Sequence, residues 1–193
     1  MAIKYLSTDQ VRQLLAFYPD AQRRLLIRLL YYSGARISEV LALTPRDILR
    51  EDRVVILPNL KARSLSKSQN VQDNKRVVLD SVTLELLEGY IRTNRIARNE
   101  KVFPFSRITA WQYIKDAGTA LGFGWIHPHT LRHTFASHWA ATASSDGDII
   151  RLSRQLGHTK VSTTQDMYIH LATKTIQESY DKVFGKGDTD AKD

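Results

Sequence analysis

The chain contains no cysteine, which excludes a disulfide framework, a thiolate zinc site and a cysteine nucleophile together. Long apolar runs are missing as well. Runs such as Leu25–Ile27 and Leu29–Tyr32 are short and separated by an arginine, so no segment reads as a membrane span. Met1–Leu6 carries no apolar core of a secretion signal. Acidic residues are the third scarcity: 20 Asp and Glu face 28 Lys and Arg, a formal net charge of +8. What remains is ordinary for a globular protein. Of the 193 residues, 42% are apolar and 25% charged, enough for one core without covalent staples and too apolar for wholesale disorder. The expectation is a soluble, cytoplasmic protein with no membrane partner.

The shortage of acid is local as well as global. Between Ala21 and Ser38 stand Arg23, Arg24, Arg28 and Arg36 with no Asp or Glu, and between Lys61 and Arg76 five cations, Lys67 and Lys75 among them, face only Asp73. Such blocks point to a polyanionic partner.

Local patterning predicts a mainly α chain with a small antiparallel β-sheet (α+β). Ser7-Thr8-Asp9-Gln10 has capping-box form, with Val11, Leu14, Leu15 and Tyr18 following at helical spacing. Asp20 can cap a second helix that stops at Ser33-Gly34, and a short third is expected from Ile37 to Leu43. Arg53–Leu57 and Lys75–Leu79 are β-branched runs that read as two strands joined by a long, polar, basic connection. Helices are predicted near Val82–Arg92, Thr109–Leu121, Leu131–Ala143, Gly147–Leu156, Ser162–Tyr168 and Ala172–Phe184. Residues 1–184 thus form one expected domain, and Gly185–Asp193, small and polar, a disordered tail.

All six histidines fall between residues 127 and 170. His127-Pro128-His129-Thr130-Leu131-Arg132-His133 sets an imidazole and a guanidinium three apart at a predicted helix start, with Thr130 as the N-cap. Free backbone N–H groups, the helix dipole, an arginine fork and a ring nitrogen would converge there on a phosphate. His129 and His133 are one turn apart, but no glutamate stands beside them and no cysteine exists, which argues against a metal. In Gly34-Ala35-Arg36-Ile37-Ser38-Glu39-Val40, Glu39 is spaced to orient Arg36. Leu156-Gly157-His158 closes a helix before Ser162-Thr163-Thr164-Gln165-Asp166-Met167-Tyr168. Taken singly, each pattern has a structural explanation: an ion pair, a backbone-bonded histidine, a packed tyrosine.

Taken in order, Arg36, the basic hairpin, His129-x-x-Arg132, Leu156-Gly157-His158 and Tyr168 resemble the catalytic domain of the tyrosine recombinases, the phage-integrase family, over nearly the whole chain from Leu6 to about Phe184. The resemblance implies that family's catalytic-domain fold and a site-specific recombinase needing no cofactor and no metal. Tyr168 would be the nucleophile on a DNA phosphodiester, forming a 3′-phosphotyrosyl link. Arg36 and Arg132 would clamp the transition-state charge, as planar, permanently charged guanidiniums suit. His129 and His158 would supply further donors, and Glu39 and His133 would support them. The family's general acid is a hairpin lysine. Lys61 fits its spacing from Arg36, Lys67 lies on the same connection, and Lys75-Arg76 looks like the motif's later basic pair. Double-stranded DNA is the implied partner, contacted by Arg23, Arg24, Arg28, Lys67, Lys75 and Arg76. A monomer when free and a homotetramer on DNA are implied, with a bacterial, phage or plasmid origin.

Three departures accompany the resemblance. The His158-to-Tyr168 interval exceeds the family's commonest spacing by one residue, and Ala141–Asp148 lengthens the link between Arg132 and His158. The N-terminal core-binding domain of many members is expected to be absent. Three rival readings stay open at this point: a non-cleaving DNA-binding accessory protein on the same scaffold, a type IB topoisomerase, and a metal-dependent nuclease.

Overall fold

The computed structural model describes residues 4–58 and 74–157. The helices expected at Ser162–Tyr168 and Ala172–Phe184 and the tail Gly185–Asp193 lie outside the described residues. Within them, helices α1 (Thr8–Ala16) and α2 (Ala21–Ser33) lead to a single turn, α3 (Ile37–Val40). The strands β1 (Ile48–Leu49), β2 (Val54–Pro58) and β3 (Asn74–Val78) follow. The chain continues with α4 (Ser81–Thr93), α5 (Arg107–Ala120), α6 (Pro128–Thr142) and α7 (Asp146–Leu156).

The helix starts follow from side-chain caps on orphan N–H groups. Ser7 Oγ accepts from Gln10 N at 3.2 Å while Gln10 Oε1 accepts from Ser7 N at 2.9 Å. Asp20 accepts from Arg23 N at 2.8 Å, and Ser106 accepts from Thr109 N at 3.0 Å. Helix α2 stops because Gly34 turns left-handed at φ 61°. A Cβ there would lie 2.5 Å from Phe135 Cδ1 and 2.9 Å from Leu156 Cδ2, so glycine is required both by the backbone and by the approach of α6 and α7.

Helix α2 is the spine of the core. Leu25, Leu26, Ile27, Leu29 and Leu30 are all buried, and the helix packs on α6, α4 and α1. A smaller cluster, Ala136, Ala140, Leu152 and Leu156, joins α6 to α7. The sheet is antiparallel in the order β1-β2-β3, with Val55 opposite Val77 and Leu57 opposite Lys75. Helix α7 closes on β3, where the Gln155 amide accepts from Val78 N at 3.0 Å and donates to Val78 O at 2.8 Å.

Three local expectations are corrected. A third strand, β1, pairs with β2 through Ile48 and Leu49. Helix α3 ends at Val40, not Leu43. Helix α6 begins at Pro128 with His127 as the N-cap, so Thr130 sits inside the first turn and its hydroxyl accepts from His127 N at 3.1 Å. Proline fits that first position because its missing N–H would have had no partner there.

Candidate active site

Four elements converge on one buried carboxylate. Glu39 of α3 has no exposed side-chain surface and pairs with Arg36 at 2.7 Å and with Lys75 at 2.6 Å. The Arg36 backbone N–H donates to Glu39 Oε2 at 2.9 Å while the guanidinium donates to Oε1. Arg36 thus carries its own orienter three residues on, and the short turn α3 makes that reach possible. Lys75 comes from β3, where the pleat turns Lys75 and Val77 inward and Asn74, Arg76 and Val78 outward.

Arg132 reaches the same place from α6. Its guanidinium donates to Gly34 O at 2.8 Å and to Leu156 O at 3.0 Å. The end of α2 and the end of α7 therefore fix it together. Lys75 Nζ donates to the same Leu156 carbonyl at 3.3 Å. Gly157, left-handed at φ 70°, passes over the lysine stem, and a Cβ on it would lie 2.8 Å from Lys75 Cδ.

The electrostatics record how closely these charges pack. Burial lowers the Arg132 pKa to about 10, and neighbouring Arg36 adds to the effect. Burial likewise lowers Lys75 to about 8, against the upward pull of Glu39. For Glu39, burial pushes the carboxyl up, but the Lys75 ammonium and the bonds from Lys75 and Arg36 outweigh it and hold it below its ordinary value. His129, on the first turn of α6, is lowered by partial desolvation of its ring and then by His127 and Arg132, and half-buried His133 by burial and then Arg132. Both rings therefore favour the neutral form near the arginines.

The remaining candidates are dispersed. Arg24 is exposed on α2, while Arg23 pairs with Asp20 at 2.7 Å and stacks 4.5 Å over Tyr18. Arg28 bonds Thr83 Oγ1 at 2.8 Å and Asp80 at 3.2 Å, tying α2 to α4, with Tyr32 beneath it. Arg76 is exposed and pairs with Asp52 at 2.9 Å. Lys75 is the correction. Expected among the DNA-facing cations, it is buried at 7% exposure with its ammonium committed to Glu39 and Leu156, so it presents no charge to a surface phosphate. Its phase was the available signal, since Lys75, Val77 and Leu79 alternate on one face. Lys61, Lys67, His158 and Tyr168 lie outside the described residues.

Among the described residues no cluster of histidine, aspartate and glutamate could hold a metal ion, and no helix is long and apolar enough to cross a membrane.

Residues 4–175 match the family model described as the phage integrase family. The chain belongs to that family. Relatives within it include the tyrosine recombinase XerD of Corynebacterium glutamicum, 32% identical over 162 residues, covering 82% of this chain and 51% of the relative. The tyrosine recombinase XerA of Pyrococcus horikoshii is 28% identical over 190 residues, covering 93% of this chain and 61% of its own. The chain thus spans between half and two thirds of the length of these integrase-family relatives. The fold agrees with the crystal structure of a XerA recombinase at TM-score 0.71 and 24% identity, over 93% of this chain and 63% of that one. It also agrees with the catalytic domain of bacteriophage HP1 integrase at TM-score 0.64 and 21% identity, over 99% of this chain and 100% of that one. The XerH recombinase in a post-cleavage complex with a palindromic difH substrate gives TM-score 0.73 at 18% identity, covering 94% and 53%. The fold is therefore that of the tyrosine recombinase catalytic domain.

Proposed function

We propose that this chain is the catalytic domain of a site-specific tyrosine recombinase, cutting and rejoining double-stranded DNA without a metal through a 3′-phosphotyrosyl intermediate. One observation carries the reading. Arg36, Arg132 and Lys75 are gathered around Glu39, three cations against one carboxylate among the described residues, and two of them are guanidiniums anchored by buried partners. Such a site is short of negative charge, and a phosphodiester supplies it.

In this reading Tyr168 attacks the phosphorus, its phenolic proton leaves, and the bond to the 5′-oxygen breaks as the tyrosyl ester forms. The phosphoryl bond energy is kept in the ester, so rejoining by a free 5′-hydroxyl consumes no ATP. Arg36 and Arg132 hold the non-bridging oxygens as charge builds on them. Neutral His129 adds a hydrogen-bond donor, His158 another, and Lys61 protonates the leaving oxygen. Exchange between two duplexes breaks four strands and calls for one tyrosine each, so we propose four protomers on paired DNA sites, in the cytoplasm where such DNA resides.

Covalent trapping tests this. Nicked duplexes carrying candidate sites, incubated in EDTA at low salt, should yield a protein–DNA adduct on a denaturing gel, and Tyr168→Phe should abolish it. DNA binding without an adduct, in the presence of an N-terminal clamp domain from a relative, would favour a non-cleaving accessory protein. Adduct formation that EDTA prevents would refute the metal-free route.

A further inference from the structure

We propose that Lys75 is a positioning residue for the phosphate clamp, tying the carboxylate that holds Arg36 to the carbonyl that holds Arg132 so that one buried ammonium sets both guanidiniums. The inference rests on the recombinase reading for its catalytic consequence, and on geometry for the coupling itself.

Glu39 receives three donors: the Arg36 backbone N–H, the Arg36 guanidinium and the Lys75 ammonium. With both oxygens engaged, the carboxylate has a fixed plane, and Arg36 inherits its orientation. The Leu156 carbonyl is shared by Arg132 at 3.0 Å and Lys75 at 3.3 Å. Lys75 is thus the side chain common to both anchoring points. Its stem also fills the space beneath Gly157, locating the C-terminal end of α7.

A lysine here is not the inexpensive choice. Its side chain is 5% exposed on the same face as Val77, where an apolar residue would avoid the desolvation that drives its pKa down to about 8. A buried charge repays that only if its partners need it. Without the ammonium, Glu39 keeps Arg36 alone and is free to swing with it, while Leu156 loses a second donor. Lys75 is also poorly placed to act as an acid on substrate, because its side chain is buried and two of its three ammonium hydrogens are directed to Glu39 and Leu156.

The test separates positioning from proton donation. Cleavage is measured on nicked duplexes whose scissile 5′-bridging atom is oxygen or sulfur. A thiolate leaves without a proton, its conjugate acid having a pKa of about 8.5, so sulfur rescues loss of a general acid and leaves a misplaced clamp unrescued. Lys75→Met should slow cleavage by about 10²-fold, the scale expected for a displaced binding group, equally on both substrates and with DNA affinity little changed. Lys75→Gln, with a neutral donor, should lie between. Rescue of Lys75→Met by sulfur would make Lys75 the general acid and overturn the proposal, as would wild-type cleavage rates. Guanidinium proton exchange of Arg36 and Arg132, followed by NMR in the free protein, needs no DNA chemistry. Both should exchange faster in Lys75→Met, or in Lys75→Gln if the methionine variant fails to fold, and unchanged exchange would overturn the coupling. A wild type that forms no adduct while this exchange behaves as expected would sink the recombinase reading alone.

Discussion

At the scale of single residues, the histidines give the chain its acid response. His129, His133 and His138 are each lowered chiefly by burial, so the folded protein resists protons that the unfolded chain accepts. Stability present at neutral pH is therefore lost as pH falls from the ordinary histidine range toward the folded values. NMR titration should give midpoints for all three rings below 6.5, and the melting temperature should drop as pH falls below about 6.5. Of the site, the pairing partner of Arg36 was legible in its spacing to Glu39, because both sit on one turn. The burial of Lys75 was not, because the carboxylate that receives it lies on α3, far away in sequence, and a basic pair before Val77 reads equally well as a solvated strand end. Alternation with Val77 and Leu79 held the answer, but the charge masked it.

Elements are decided by their ends. Asp80 caps α4, accepting from Thr83 N at 3.0 Å, from the Thr83 hydroxyl and from Arg28 at 3.2 Å. Burial pushes its carboxyl up, but the bonds from Thr83 and the Arg28 charge outweigh it and hold it below its ordinary value. Asp80→Ala should lower stability by about 1–2 kcal/mol through the lost cap, measurable in urea unfolding. The same change leaves Arg28 without one partner at the α2–α4 contact. Several helix boundaries were readable because Ser7, Asp20 and Gly34 announce them chemically, whereas the cap Ser106 was passed over and α5 was expected to start at Thr109. The start of α6 was misread since Thr130 is a good cap residue, yet Pro128 tolerates the first helical position and carries the helix back to His127. The strand β1 escaped notice because two residues, Ile48 and Leu49, cannot display an alternation.

At the scale of the molecule, the excess of 28 basic over 20 acidic residues has a measurable signature. If ~6 phosphates are neutralised, affinity for duplex DNA should fall by roughly 10³ between 50 and 200 mM salt. A fluorescence-anisotropy titration at several salt concentrations gives the slope, and a flat response would remove the electrostatic part of the DNA reading. The integrase-family fold places the exposed cations on several elements while gathering three more around Glu39, two of them, Lys75 and Arg132, buried. Surface charge and buried charge therefore have separate tasks, attraction for the first and alignment for the second.

The Gln155 amide has a consequence beyond the site. By exchanging two hydrogen bonds with Val78 on the last strand of the described sheet, it imitates one rung of a neighbouring strand. An open strand edge invites recruitment of strands from other chains and hence aggregation. Here one side chain from α7 occupies that edge at Val78, so the contact that seats α7 beside the candidate site also keeps one rung of the edge from a foreign strand.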